Sequence, residues 1–140
     1  MQRDRQTELL AGSKLGTLAT LKRDGWPQLS MVSYAYDVDR DEIVASVTNG
    51  RAKTANIRRD PRVSLLARSA DGWSYAVAEG TAALSAVAQD PHDDAVEKLV
   101  AIYRAIGGEH PDWAEYRQAM VQDGRVALTI AVHRVYGLVR

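Results

Sequence analysis

The chain contains no cysteine and no phenylalanine among its 140 residues. Without cysteine it has no disulfide, no thiolate nucleophile and no cysteine-ligated metal, and this composition fits a reducing compartment. Without phenylalanine, its core has to be filled by aliphatic residues, tyrosine and tryptophan. Eighteen basic and eighteen acidic side chains give a net charge of zero, so the whole molecule has no electrostatic preference for nucleic acid or acidic membranes. Any site for an anion must therefore be local.

Long apolar runs are also missing. No stretch approaches the ~18 apolar residues needed to span a bilayer, and residues 1–8 are polar and lack the apolar core of a secretion signal. We therefore expect a soluble, cytoplasmic protein with no membrane partner. The length predicts a single domain over residues 1–140, which is large enough for a hydrophobic core but small for an enzyme that surrounds a large ligand alone.

Several motifs that commonly carry chemistry are absent as well. There is no G-x-G-x-x-G or Walker sequence, so neither a dinucleotide-binding fold nor a P-loop is indicated. The three histidines are far apart, and the acidic residues at 93, 94 and 97 are explained by the negatively charged first turn of a helix. We predict no metal site, and no serine has the sequence context of a nucleophile.

The spacing of apolar residues predicts a mainly β protein. Six stretches alternate like strands, and three of their connections are tight hairpin turns, such as Asp24-Gly25. Helical spacing is found near the N-terminus up to Gly12, between the third and fourth strands, and as a pair of helices before the last strand. Antiparallel strands with inserted helices favour a barrel over a parallel α/β sheet, and Gly80 predicts a bulge. The predicted strands cover residues 15–21, 28–36, 42–48, 63–68, 73–84 and 126–139.

Residues 49–63 form the most informative stretch. A glycine opens it, Pro61 ends its helix, and it carries five of the eighteen basic residues. On a helical wheel these cations do not share one face, as a helix that reads a nucleic-acid groove would require, so we predict no nucleic-acid partner. Arg51 and Lys53 lie in the first turn, where free N–H groups and the helix dipole favour an anion. The pattern indicates a phosphate clamp, with a solvated basic helix as the alternative.

Two further groups of residues fit a cofactor site but also have ordinary explanations. Trp73 and Tyr75 share one face of the fifth predicted strand, where they could stack on a planar ring or fill a core that lacks phenylalanine. Small polar side chains in otherwise apolar strands could line a site or form the solvent face of a one-sided sheet. These small polar residues are Gln28, Ser30, Ser46 and Thr48.

The motif K-x-x-N-(x4)-P-x-V, met by Lys53, Asn56, Pro61 and Val63, resembles that of the flavin-binding split β-barrel proteins of the pyridoxamine-phosphate-oxidase-like group. The chain is similar in particular to their actinobacterial branch, which binds the deazaflavin coenzyme F420. The similarity extends over nearly the whole chain. The other matching stretches are residues 16–21, 24–25, 27–30, 71–81 and 135–137.

The resemblance implies a six-stranded antiparallel split β-barrel that forms a homodimer, with two equivalent cofactor sites at the subunit interface. It places the cofactor phosphate at Arg51, Lys53 and Asn56, and the ring along the second and third strands. The cofactor-binding residues that we assign, including the two aromatic candidates, are Gln28, Ser30, Val32, Ser46, Val47, Thr48, Arg51, Ala52, Lys53, Asn56, Trp73 and Tyr75.

The function implied by this resemblance is hydride transfer between F420 and a small organic substrate. Two alternatives remain open: a protein that binds or stores F420 without turnover, and an FMN-dependent enzyme of the pyridoxamine-phosphate-oxidase type. Members that oxidise vitamin B6 are longer and typically finish with a Trp-x-Arg-type tail, which this chain lacks, so we do not expect that activity. We identify no catalytic acid or base beyond three candidate tyrosines, and three arginines have no assigned role. The tyrosines are Tyr34, Tyr36 and Tyr75, and the arginines are Arg58, Arg59 and Arg62.

Overall fold

The computed structural model describes residues 2–140, with side chains from residue 4 onward. Its elements are α1 (Gln2–Gly12), β1 (Leu15–Leu21), β2 (Pro27–Asp37), β3 (Glu42–Thr48), α2 (Ala52–Arg59), β4 (Arg62–Arg68), β5 (Tyr75–Leu84), α3 (Asp94–Gly107), α4 (Trp113–Gln122) and β6 (Arg125–Leu138). The strands close into an antiparallel barrel in the order β1-β2-β3-β6-β5-β4, which confirms the predicted six-stranded barrel. Among the described residues, no helix has the length and apolar character that crossing a bilayer requires.

The barrel interior is filled by apolar side chains that alternate with more exposed ones along the strands. In β3, Ile43, Ala45 and Val47 are buried, while the residues between them are half-buried. Equivalent side chains from the other strands complete the core, among them Leu18 and Leu65. Burying one such branched side chain contributes about 1.5–3 kcal/mol, so barrel closure is driven mainly by these aliphatic residues.

The N-terminal helix is tied to the barrel by two side-chain hydrogen bonds. Its Leu10 is fully buried in the core, and the Tyr34 hydroxyl donates to Leu10 O at 2.6 Å. Gln6 Nε2 donates to Gly137 O at 2.8 Å. Burial raises the pKa of Tyr34 to about 12, so this candidate acid is a neutral structural residue of the core.

The fifth strand begins later than predicted, at Tyr75 rather than at residue 73. The turn before it is held by side chains: Asp71 accepts hydrogen bonds from the Ser69 hydroxyl at 2.6 Å and from Trp73 N at 3.0 Å. Because the Trp73 N–H donates to Asp71 in the turn, Trp73 does not pair with a neighbouring strand. The prediction that Trp73 and Tyr75 share one face of a strand is therefore wrong.

The predicted bulge at Gly80 is confirmed. The β5–β6 register changes between Glu79 and Gly80, which pair with Arg134 and Val132. The additional residue lies on β6, between these two partners. Gly80 also allows the strands to approach closely, because it has no Cβ.

The α3–α4 hairpin packs against one side of the barrel, on β2, β3 and β6. Asp93 and Asp112 accept hydrogen bonds from the first turns of α3 and α4 and so cap both helices. The predicted helical role of the acidic residues that begin α3 is therefore confirmed. Arg117 joins the two helices through an ion pair of 2.6 Å with Glu97.

The barrel is split between β2 and β3. Their ladder contains only the pairs from Tyr34–Ala45 to Asp37–Glu42. Residues 27–33 of β2 continue to pair with β1, and residues 46–48 of β3 continue to pair with β6. The two strands therefore separate and leave a gap in the wall.

The close approach at Gly80 can be tested by adding a single methyl group. A Cβ at Gly80 would lie 2.2 Å from the Ala131 carbonyl oxygen, so the strands would have to separate. We expect Gly80→Ala to lower the free energy of unfolding by about 1–3 kcal/mol, as measured by chemical denaturation. Gly12→Ala is the control, because a Cβ there meets no atom within 4 Å. Equal stability of the two variants would contradict the described packing.

Candidate functional site

A cavity of about 850 Å³ lies where β2 and β3 separate. Its walls come from the first half of β2, the end of β3, the start of α2, the start of β6 and the α3–α4 hairpin. Nine of the twelve predicted cofactor-binding residues line it. These nine are Gln28, Ser30, Val32, Ser46, Val47, Thr48, Arg51, Ala52 and Lys53.

Three cationic side chains line the cavity: Arg51, Lys53 and Arg125. No aspartate or glutamate is found among the described lining residues, although the chain as a whole is neutral. Burial and the charges of Arg51 and Arg125 lower the pKa of Lys53, because both effects disfavour its protonated form. The cavity therefore has the electrostatic character of an anion site.

The N-terminus of α2 adds backbone donors beside these cations. Arg51 is the N-cap residue, and among the described residues no side chain caps this end of the helix. The Thr54 hydroxyl instead donates to Thr48 O at 2.7 Å, which fixes the helix to the end of β3. The free N–H groups of the first turn and the positive end of the helix dipole both favour an anion. The helix predicted before Pro61 is confirmed at this position.

Two buried polar atoms of the cavity wall have no hydrogen-bond partner among the described residues. They are Ser46 Oγ and Arg125 Nε. Leaving a buried polar group unsatisfied costs about 1–3 kcal/mol, and a polar ligand in the cavity would remove that cost. The residues present therefore fit an anionic cofactor with polar edges.

The α3–α4 hairpin gives the cavity an apolar and aromatic wall. Tyr103 and Ile106 contribute from α3, and Tyr116 and Met120 from α4. The two tyrosine rings pack edge to face with centroids 5.0 Å apart. The Tyr116 hydroxyl donates to Leu99 O at 3.0 Å, and burial raises its pKa to about 12. This wall offers flat apolar surface to a ring, and Tyr116 holds its proton at neutral pH.

Asn56 lies behind the cavity wall rather than in it. It is only 7% exposed, and its amide nitrogen donates to Thr20 Oγ1 at 3.1 Å and to Gln28 Oε1 at 2.9 Å. Its carbonyl oxygen accepts from Arg59 Nη2 at 3.2 Å. In this structure Asn56 therefore contacts Gln28, which does line the cavity. Its predicted contact with a phosphate stays a prediction.

Trp73 and Tyr75 do not line the cavity of the single chain. They are 67% and 37% exposed, so the alternative explanation that they fill the core is wrong. The guanidinium of Arg140 lies 5.8 Å from the Trp73 ring centroid. Contact of Trp73 and Tyr75 with a cofactor stays a prediction.

The candidate acids named from the sequence are likewise not in the cavity wall. Tyr34 is in the core, Tyr75 lies outside the cavity, and the Tyr36 hydroxyl donates to Asp41 Oδ1. The tyrosines that do line the cavity are Tyr103 and Tyr116.

Sequence reasoning missed Arg125 and did not assign the hairpin to the site. Arg125 reaches the cavity because the β3–β6 register sets it opposite Thr48, and neither strand's sequence specifies that pairing. The hairpin residues did carry a signal, since Tyr103 and Met120 lie on apolar stripes at helical spacing. Such a stripe predicts burial, but it does not identify the surface that it faces.

Comparisons with known proteins support the fold. The family model described as pyridoxamine 5'-phosphate oxidase matches residues 3–138. A solved structure described as an F420 reductase has a TM-score of 0.67 and 21% identity, over 92% of this chain and 94% of that chain. A conserved hypothetical protein from Mycobacterium tuberculosis has a TM-score of 0.72 and 27% identity, over 98% and 84%. A heme-binding protein from Mycobacterium smegmatis has a TM-score of 0.70 and 21% identity, over 99% and 54%.

The lowered pKa of Lys53 predicts a pH-dependent anion affinity. Lys53 loses its proton at a lower pH than an ordinary lysine, and only the protonated form attracts an anion. We expect sulfate affinity, measured by calorimetry, to fall as the pH rises from 7 towards the ordinary lysine value of 10.5. Lys53→Arg should remove most of this fall, because a guanidinium stays protonated throughout that range. The same pH profile in both proteins would show that Lys53 is not part of the anion site.

Proposed function

The chain belongs to the pyridoxamine 5'-phosphate oxidase family, and we propose that it binds coenzyme F420 and transfers a hydride between this deazaflavin and a small organic substrate. The observation that carries the proposal is the cluster of three cations, without a carboxylate among the described lining residues, at a helix N-terminus beside an apolar wall. The fold shared with a structure described as an F420 reductase supports the choice of cofactor.

The cationic end of the cavity would hold the cofactor phosphate. A guanidinium at Arg51, an ammonium at Lys53 and the N–H groups that begin α2 offer charge and directed donors together. Each charge-assisted hydrogen bond contributes about 1.5–3 kcal/mol. Arg125 adds a third positive charge from β6, and its unpaired Nε is a further donor.

The apolar part of the cavity would hold the ring. Val32 and Val47 line it from the barrel, and Tyr103 and Ile106 line it from α3. When bound, the deazaflavin supplies the hydride chemistry, while the protein supplies position and excludes water. The unpaired Ser46 hydroxyl offers a hydrogen bond to a polar edge of the ring.

Among the described lining residues, only lysine, arginine and tyrosine side chains could protonate a substrate, and all of these are weak acids. The described lining contains no histidine and no carboxylate, and the Tyr116 proton is held by a raised pKa of about 12 and a bond to Leu99 O. We therefore propose that the proton that accompanies hydride transfer comes from solvent at the open side of the cavity.

We also propose that the protein forms a homodimer through the apolar outer surface of the barrel. Large exposed apolar side chains lie on β1, β2, β5 and β6, and surfaces of this kind mark sites of association. Met31 is 56% exposed and also lines the cavity, so a second copy on this surface would close the site. A dimer is also the arrangement in which Trp73 and Tyr75 could reach the other copy's cofactor. The exposed apolar side chains on these strands are Leu15, Leu29, Met31, Tyr75, Tyr136 and Leu138, and Trp73 lies beside them in the turn before β5.

Cofactor titration tests the proposal directly. We expect F420 fluorescence to be quenched on binding, and Lys53→Ala to weaken that binding roughly ten- to hundredfold because one charge-assisted bond is lost. Arg58→Ala is the matched control: Arg58 is an exposed cation of the same helix and does not line the cavity. Parallel titrations use FMN and hemin. Tight binding of either one, with no binding of F420, would overturn the proposal.

Turnover separates the enzyme from a storage protein. Reduced F420 is followed by its absorbance in the presence of enones and quinones. Oxidation that depends on both protein and acceptor supports hydride transfer. Tight F420 binding with no oxidation across the panel favours the binding or storage alternative.

Oligomeric state tests the dimer proposal. We expect sedimentation to show a dimer for the native chain and a monomer for Leu29→Glu, because a buried, unpaired carboxylate at the interface is costly. Val38→Glu places the same charge at a 53% exposed residue in the turn between β2 and β3, and it should remain dimeric. A native chain that sediments as a monomer would refute the proposal.

A further inference from the structure

We infer that Arg59, acting through Asn56, fixes the side-chain amide of Gln28 so that its two N–H donors face the cavity and select a ligand with a hydrogen-bond acceptor there. Arg59 is a positioning residue on the outside of α2, and Gln28 is the residue that meets the ligand. The inference rests on the proposed function only in taking this cavity as the ligand site.

Arg59 sets the direction of the chain of hydrogen bonds. Its Nη2 donates to Leu21 O at 2.5 Å and to Asn56 Oδ1 at 3.2 Å. A guanidinium has five donors and no acceptor, so the Asn56 atom that faces Arg59 has to be the carbonyl oxygen. The bond to the Leu21 carbonyl holds the guanidinium in place at the end of β1.

The orientation of the Asn56 amide in turn determines the orientation of the Gln28 amide. With its oxygen facing Arg59, its nitrogen faces Thr20 and Gln28, to which it donates at 3.1 and 2.9 Å. Both amide hydrogens of Asn56 are then in use, in a side chain that is 7% exposed. The Gln28 atom that faces Asn56 must accept a hydrogen bond, so it is Oε1.

Gln28 consequently presents its nitrogen to the cavity. Gln28 lines the cavity, and among the described residues no acceptor takes a hydrogen bond from its Nε2. Ser30, two residues along the same strand face, receives a hydrogen bond from Lys53 Nζ at 3.3 Å, so the hydroxyl hydrogen of Ser30 is free to donate. This edge of the cavity is therefore a row of donors.

The ligand chemistry that matches a row of donors is a row of acceptors. A carbonyl oxygen or an unprotonated ring nitrogen of a conjugated heterocycle fits, and so does a phosphate oxygen. A ligand that presents an N–H group there could form no hydrogen bond with the Gln28 amide nitrogen, because both groups are donors. The amide direction is thus a specificity element that is separate from the positive charge of the site.

One substitution should reverse the amide. In Asn56→Asp, both side-chain oxygens are acceptors, so Arg59 is still satisfied but Gln28 has to turn and donate to the new carboxylate. Gln28 then offers an oxygen to the cavity. Gln28→Met removes both polar atoms and keeps a side chain of similar length. Made in the native protein and in Asn56→Asp, it measures what the Gln28 amide contributes to ligand affinity in each.

The test is a double-mutant cycle on F420 affinity. We expect Gln28→Met to weaken binding about three- to tenfold in the native background, and to leave affinity unchanged or improve it in the Asn56→Asp background. An equal loss in both backgrounds would overturn the inference, as would no loss in either. Repeating the cycle with the phosphate-free chromophore of F420 identifies the acceptor: an effect that persists assigns it to the ring, and one that disappears assigns it to the phosphate.

The ligand-free protein gives a readout that does not depend on F420. The side-chain amide signals of Asn56 should exchange slowly with solvent in the native protein, and those of Gln28 quickly. Asn56→Asp should slow the exchange of Gln28, and Arg59→Met should speed that of Asn56, while Arg58→Met on the same helix should change neither. Fast exchange of Asn56 in the native protein would refute the relay even if F420 binds. Slow exchange of Asn56 with no F420 binding would refute the proposed function instead.

Discussion

The incomplete pairing of β2 and β3 determines where the cavity forms and which elements surround it. The two strands pair only from Tyr34–Ala45 to Asp37–Glu42 and then follow different neighbours. A gap of this kind exposes the apolar interior of the barrel and the unpaired backbone groups of the strand edges. Other elements therefore have to cover it. Here α2 continues from the end of β3, and the α3–α4 hairpin packs on the same side. The cavity is the space that these elements leave between them.

The cations that line the cavity lower the stability of the folded protein. In a chain with no net charge, three cations lie in one cavity wall and no described carboxylate joins them. Burial, together with the repulsion from Arg51 and Arg125, lowers the pKa of Lys53, and a buried donor of Arg125 has no partner among the described residues. Stability alone would favour an aspartate or glutamate among them. Local destabilisation of this kind is typical of sites prepared for a ligand that brings the missing charge.

Local features of the chain were predictable from sequence, and features that depend on strand pairing were not. Alternation located β1 and β3 at their observed bounds, and Pro61 located the end of α2, because these signals act within a few residues. Arg125 was not predictable, since it reaches the cavity only through its pairing with Thr48. Asn56 belongs to the motif noted in the sequence, but its partners Thr20 and Gln28 come from two other strands, so the sequence did not show that it lies behind the cavity wall.

The bulge in β6 has a consequence for how this chain can change in evolution. Before the additional residue, Val126, Leu128, Ile130 and Val132 are buried, and after it the buried residue is Val135. The extra residue therefore exchanges the inner and outer faces of the strand's last segment. Regular pairing through His133, without the bulge, would turn Val135 outward and bring Tyr136 into the barrel, whereas loss of the extra residue together with the bulge would leave Val135 inside. We therefore expect related chains either to keep the extra residue together with the bulge or to lose both, because each arrangement leaves Val135 inside.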